Sequence, residues 1–242
     1  MRIIIFIITI LSISFTQWPT SPEDPLWIGT GIQPQIQSTS DGGAYIAWLS
    51  DGDYNVHLQY LNPEGIPQWP AGGVQITNQP NSSWIAFYHM NMVVDLDNNA
   101  IITTVDTRSG LWQVYAYKLN TLAEHLWSIN GIHLSITGTE NISPRLCLDP
   151  TLQGVVVTWA SDYSIIHIQG IDAEGSLSWG PNGGVTIFDP TGSYMSPQPV
   201  VAGGHVYIQW IRQTGGWPPI SELLIQKMDG DGEFFWDSPT VV

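Results

Sequence analysis

Apolar residues in this chain come in short dense runs rather than at helical spacing. Residues 44–49, 100–105, 155–159 and 206–211 are almost unbroken apolar stretches, rich in β-branched and aromatic side chains. That is the pattern of a strand covered on both faces. A shorter apolar segment precedes each run, at 34–38, 92–96, 145–148 and 199–202. Between the two lie Asp41-Gly42-Gly43, Asp97-Asn98-Asn99, a longer link from Asp149 to Gly154, and Gly203-Gly204. Such residues tolerate the positive φ that tight hairpin turns require. No window shows a 3.6-residue period of helical length, so the expected chain is all-β.

The strands belong to a repeat. A third strand ends alike each time: Gln59-Tyr60-Leu61-Asn62, Tyr117-Lys118-Leu119-Asn120, Gln169-Gly170-Ile171-Asp172 and Gln226-Lys227-Met228-Asp229. A turn follows, then a landmark tryptophan at Trp69, Trp127, Trp179 and Trp236, read here as lying on a fourth, outer strand. Pro67 and Pro70 flank Trp69, which suits an edge strand. The landmarks recur every 52–58 residues, the length of a four-stranded propeller blade rather than of a helical solenoid unit. The expected blades, each with strands a to d, span about 33–77, 88–136, 142–188 and 197–242. An additional landmark at Trp27 marks an extra outer-strand segment, 25–32.

Strand b ending in Trp, then Gln-x-Leu/Ile/Met-Asn/Asp-x-x-Gly, then Trp-x-x-x-Gly-Val/Ile resembles the tandem propeller repeats of secreted bacterial proteins. Those proteins often carry a C-terminal sorting domain. The resemblance covers roughly residues 25–242 and implies a β-propeller-like fold of four antiparallel four-stranded blades. No sorting domain is seen, the last strand d is barely made, and five landmarks stand against four sets of strands a to c. The expectation is therefore part of a larger propeller, with a closed four-bladed ring as the alternative. A sialidase-type Asp-box needs a Trp five residues after its Asp. Asp41 precedes Trp48 by seven and Asp149 precedes Trp159 by ten, so that motif fails.

Composition refines this picture. Residues 1–16 have Arg2, an apolar run from Ile3 and small residues at a cleavage position, and read as a secretory signal peptide. The domain is then 17–242, secreted or at the cell surface. The apolar run is too short for a comfortable membrane span. Six basic against 21 acidic residues give a net charge of −15, which argues against a nucleic-acid partner. Cys147 is the single cysteine, so no intramolecular disulfide forms, and its apolar neighbours mark it as a small core residue.

Eight of the twelve tryptophans sit at repeat landmarks, which leaves Trp18, Trp84, Trp112 and Trp217. Trp112 and Trp217 fall in the loop between strands b and c, where the other units carry Tyr54 and Tyr163. Propeller b–c loops all emerge on one face. Asp51, Asp53, Asp106, Arg108, Asp162 and Arg212 lie beside the aromatics. Flat aromatics stack on sugar faces and charged groups hold hydroxyls, so this rim is the candidate site for a carbohydrate or protein ligand. The competing reading folds each aromatic back onto the next blade.

No cofactor or metal site is expected. Asp51-Gly52-Asp53, Asp95 to Asn99 and Asp229 to Gly232 have alternating oxygens but no closing Glu of a calcium loop, and read as turns. His57 and His167 share a strand c position with Tyr115 and Leu224, a packing pattern. No Gly-x-Ser-x-Gly occurs. Asn81 and Asn141 fit the glycosylation pattern. The functional expectation is a structural or binding propeller without catalysis of its own. The alternative is a fragment of a carbohydrate-active enzyme, hydrolase or lyase, betrayed by a buried carboxyl of raised pKa on the b–c face.

Overall fold

The structure, a computed structural model, describes residue 23 and residues 25–79, 90–188, 190 and 192–242. The expected signal peptide, Trp18, Trp84 and the sequon at Asn81 lie outside these residues. Sixteen strands form four antiparallel four-stranded sheets, and the described residues contain no helix. Sheet one holds β1 (Ile32–Ser38), β2 (Ala44–Leu49), β3 (Val56–Leu61) and β4 (Val74–Gln75). Sheet two holds β5 (Asn91–Val94), β6 (Ala100–Asp106), β7 (Gln113–Leu119) and β8 (Ile132–His133). Sheet three holds β9 (Asn141–Asp149), β10 (Gly154–Ser161), β11 (Ile165–Ile171) and β12 (Val185–Phe188). Sheet four holds β13 (Ser193–Ala202), β14 (His205–Thr214), β15 (Ile220–Met228) and β16 (Thr240–Val241). Each sheet runs in chain order from its first strand to its last, which is the meander of a propeller blade.

The blades pack in sequence, and one apolar cluster fills each space between neighbours. Tyr45, Leu58 and Tyr60 of sheet one meet Met92, Ile102 and Tyr117 of sheet two. Ile101 and Val105 of sheet two meet Leu146, Val157 and Trp159 of sheet three. Val156 and Ile168 of sheet three meet Tyr194, Ile208 and Trp210 of sheet four. Burying one such side chain is worth ~1.5–3 kcal/mol. Among the described residues no cluster joins sheet four to sheet one. The four sheets form an open fan, a partial propeller, and not the closed four-bladed ring held as the alternative.

Two expectations about strands are corrected. The first strands of sheets one, three and four begin earlier than the apolar pattern suggested, because each contains a β-bulge. Gln33, Ser143 and Ser196 sit there with φ between 51° and 55°, each just before a proline. The bulge breaks the alternation, so the pattern seems to start only after it. The landmark tryptophans, moreover, do not lie on the outer strand. They precede it, and in sheets one, three and four the strand c glutamine bonds to the turn that holds them. The Gln59 carboxamide accepts from Trp69 N (3.1 Å) and donates to the carbonyls of Trp69 and Pro70. Gln169 does the same around Trp179 and Pro181. Each indole then donates to the next blade: Trp69 to Thr121 O, Trp127 to Ala173 O and Trp179 to Gly230 O, at 2.9–3.0 Å.

Candidate functional site

The b–c loops connect β2 to β3, β6 to β7, β10 to β11 and β14 to β15, and open on one face. Segments that lead into the next inner strand share that face, and backbone hydrogen bonds stitch the two together. Asn141 N donates to Trp112 O (3.0 Å) and Tyr194 N donates to Tyr163 O. The b–c loop of one blade is thereby fixed to the inner strand of the next.

The four aromatics divide. Trp112 packs on the core between sheets two and three, and its backbone N–H donates to Glu140 Oε2 at 3.0 Å. For Trp112 the folded-back arrangement is the one observed. Tyr54 is half-buried, with φ 53°. Tyr163 is 43% exposed, and Trp217 is 95% exposed. Trp217 sits in Thr214-Gly215-Gly216-Trp217-Pro218-Pro219 at the tip of its loop, with a cis bond to Pro218. An indole of that size, almost wholly in water, offers a large apolar face that a ligand could cover.

The charged residues are mostly engaged with one another. Arg108 folds inward: its Nη2 lies 2.6 Å from Asp106 Oδ2, and it also donates to Tyr117 Oη and Asn130 O. Burial is the largest single influence and lowers the Arg108 pKa, but the hydrogen bonds and charges of Asp106 and Tyr117 together outweigh it and the net shift is upward. Arg212 pairs with Glu222 at 2.7 Å. Asp53 receives bonds from Ser50 and Asn55, with the Ser50 bond the larger cause of its lowered pKa. Asp162 Oδ1 accepts from Glu140 N. Asp51 lies exposed in the turn. Each resolved carboxyl shift in the structure, at Asp41, Asp53 and Asp95, runs downward, toward the ionised form.

Glu140 and Glu222 escaped the sequence reading. Glu222 is the register partner of Arg212 across the β14–β15 hairpin, so strict hairpin alignment would have found it. Glu140 belongs to the connection into β9 and left no local signal. Asn141 is fully buried, its amide bonded to Thr139, which removes it as a glycosylation acceptor. The Asp-rich turns behave as turns: Asp95 accepts from the N–H groups of Asp97 and Asn99, Asp229 from those of Asp231 and Glu233. The histidines stack as packing residues, His57 on Trp48 and His167 on Trp159, the latter with rings 6° from parallel. Burial pushes the half-buried Cys147 thiol up to about 12. A cleft of about 360 Å³ opens on the opposite rim, between the a–b turns of sheets two and three. Two of the carboxylates lining it are already engaged, Asp95 with Lys118 at 3.0 Å and Asp149 with its own turn.

No family model and no curated protein matches the chain. Among solved structures it is similar to an α-L-arabinanase of Penicillium chrysogenum complexed with arabinobiose. That match has 9% identity and a TM-score of 0.54, over 87% of this chain and 66% of the other. It is likewise similar to an α-L-arabinofuranosidase of Fusarium graminearum in complex with an iminosugar inhibitor. There the identity is 10% and the TM-score 0.55, over 90% of this chain and 69% of the other. At such identities the likeness establishes the β-propeller fold alone.

Proposed function

We propose that this chain is a secreted or cell-surface propeller whose b–c face binds carbohydrate. One observation carries the reading: Trp217 stands 95% exposed at the tip of its loop. An indole face stacks on the C–H surface of a sugar ring, and two prolines after it limit the loop's conformational freedom. Tyr163 on the neighbouring blade offers a second exposed ring. The fold neighbours complexed with arabinobiose and an iminosugar support sugar-like ligands for this architecture.

A second reading, glycoside hydrolysis, draws on the same neighbours, both named as arabinan- or arabinofuranoside-cleaving enzymes. Hydrolysis needs two facing carboxyls, one of them held protonated. Asp106 and Glu222 are paired with arginines, Asp53 and Asp162 accept hydrogen bonds, and Glu140 accepts from the Trp112 N–H. With these carboxylates engaged by neighbouring groups, we take binding as the first reading and hydrolysis as the second.

Incubation with a panel of plant and microbial polysaccharides tests both. Retardation in affinity gels, abolished by Trp217→Ala and without release of reducing ends, supports binding. Release of reducing ends would replace it with the enzyme reading, and no retardation on any glycan would remove both.

A further inference from the structure

One repeated position on the inner strands carries a polar side chain in every sheet. Gln35, Asn91, Arg145 and Gln198 occupy it, each the register partner of the strand b residue just before Trp48, Thr104, Trp159 or Trp210. In sheet one the Gln35 amide donates to Met90 O and accepts from Met92 N on the next sheet (3.1 Å). In sheet two Asn91 Oδ1 accepts from Leu146 N on the next sheet at 2.9 Å. Each of these side chains closes on a backbone N–H of the neighbouring inner strand.

In sheet three that link is missing on both sides. Arg145 has donors and no acceptor. The residue equivalent to Met92 and Leu146 is Pro199, which has no N–H. Thr158, directly opposite Arg145, donates to Pro197 O at 3.0 Å, so this pair faces sheet four. Sheets three and four are both in place there, and the gap is internal to the fan. Arg145 has no hydrogen bond or ion pair among the described residues, although it is partly buried. Burial alone acts on its pKa, which falls below the ordinary arginine value. Every other lysine and arginine among the described residues is engaged: Arg108 with Asp106, Lys118 with Asp95, Arg212 with Glu222, and Lys227 over the Phe235 ring. The four inner strands carry no Asp or Glu except Asp149, whose carboxylate accepts from Thr151 N in its own turn. A guanidinium drawn out of water without a partner is unfavourable, and it stays charged at neutral pH.

We propose that Arg145 is an anion-binding residue, taking the carboxylate of a soluble ligand at the inner edge between sheets three and four. A planar guanidinium matches a planar carboxylate through two parallel N–H···O bonds, and partial burial strengthens them. The −15 charge repels anions from the surface as a whole, so an anion retained here is retained by this residue. The carboxylate belongs to a free organic acid or to a uronic acid unit of a glycan. The site stands apart from the b–c face and does not depend on neutral sugar binding there.

Titration of the intact chain with acetate, galacturonate, galactose and inorganic phosphate, at constant ionic strength, tests this. The Arg145 Nε–H signal, assigned with Arg145→Met, is followed in a ¹⁵N-correlated spectrum. Both carboxylates should shift it, saturating below about 10 mM, and should raise the melting temperature of the parent but not of Arg145→Met. Galactose should leave the signal in place. Galacturonate tighter than acetate by about tenfold or more identifies a uronate ligand, and equal affinities identify a free acid. Arg145→Met removes an unpaired charge and keeps most of the stem, so it should fold and melt no lower than the parent. No saturable shift with either carboxylate, undiminished binding by Arg145→Met, phosphate bound more tightly than both carboxylates, or an Arg145→Met protein clearly less stable than the parent overturns the proposal.

Discussion

The Arg108 guanidinium carbon lies 3.8 Å from the centroid of the Tyr115 ring. Sheets one and three place a strand b tryptophan on a strand c histidine at this level, Trp48 on His57 and Trp159 on His167. Sheet two has Thr104 where the tryptophan would be, and Arg108 lies on Tyr115 in its stead. A planar guanidinium fits that space as a ring does, and Asp106 neutralises it.

Arg108→Met should therefore destabilise the protein by about 3–5 kcal/mol, because it leaves the buried Asp106 carboxylate without its cation. Chemical denaturation measures the loss. Adding Asp106→Asn to Arg108→Met should recover a large part of it. An Arg108→Met protein as stable as the parent would show that the pair is not structural.

Glycine on the outer turn is set by space as well as by φ. Gly73 and Gly184 occupy equivalent turns with φ of 68° and 55°, and an added Cβ would lie 2.4 Å from Leu58 O and 2.2 Å from Ile168 O. Gly72, one residue earlier, has φ 87° but open space around it. Gly72→Ala should cost about 1–2 kcal/mol, the strain of positive φ in an L-residue. Gly73→Ala must also displace a strand c carbonyl and should cost more, a difference visible in denaturation midpoints. Equal losses would remove the close-approach argument.

The strand c glutamine makes a different prediction. Gln169 satisfies the backbone N–H groups of Gly170 and Trp179 and the carbonyl of Pro181. Gln169→Leu keeps the volume but orphans these groups, at about 1–3 kcal/mol for each that stays dry. It should also loosen the Trp179 indole from Gly230 O, seen as a red shift in tryptophan emission. Unchanged emission and stability would mean that water replaces the amide.

Acid should weaken the fold before any carboxylate titrates. Burial lowers the pKa of His125, of His133 (with Arg108 adding to it) and of His167 below the ordinary 6.5. The unfolded chain then takes up protons first, so the stability these histidines contribute is complete above about pH 6.5 and declines as pH falls below it. Asp41, Asp53 and Asp95, with lowered pKa values, add a second loss below about pH 4. A melting temperature that drops between pH 7.5 and 5.5, and drops less in His167→Phe, is expected. A flat profile over that interval would contradict it.

How much of this was legible in the sequence depends on what each residue answers to. The b strands were plain because both faces are buried, which leaves a dense apolar run. The fourth, β14, is the informative deviation: the sequence reads apolar, but half of its face has no sheet to cover it. The strand starts at Ile32, Asn141 and Ser193 were hidden by bulges at Gln33, Ser143 and Ser196 that reset the two-residue period. The landmark tryptophans were recognised but placed on the wrong element, because a turn clamped by a distant glutamine leaves no local pattern. In the site, repetition pointed to four b–c aromatics, yet it could not separate the partly buried Trp112 from the exposed Trp217. That depends on the Glu140 connection, which lies outside the repeat pattern.

The sugar-binding account of the b–c face rests on Trp217, and its indole N–H resonance is the direct probe. Trp217→Phe assigns that signal in a ¹⁵N-correlated spectrum of the intact chain. Titration with a neutral oligosaccharide drawn from a polysaccharide that the protein retains should shift the Trp217 indole signal. The core indoles of Trp159 and Trp210 should stay in place. An unmoved Trp217 signal at saturating sugar, or shifts confined to other tryptophans, would contradict the account.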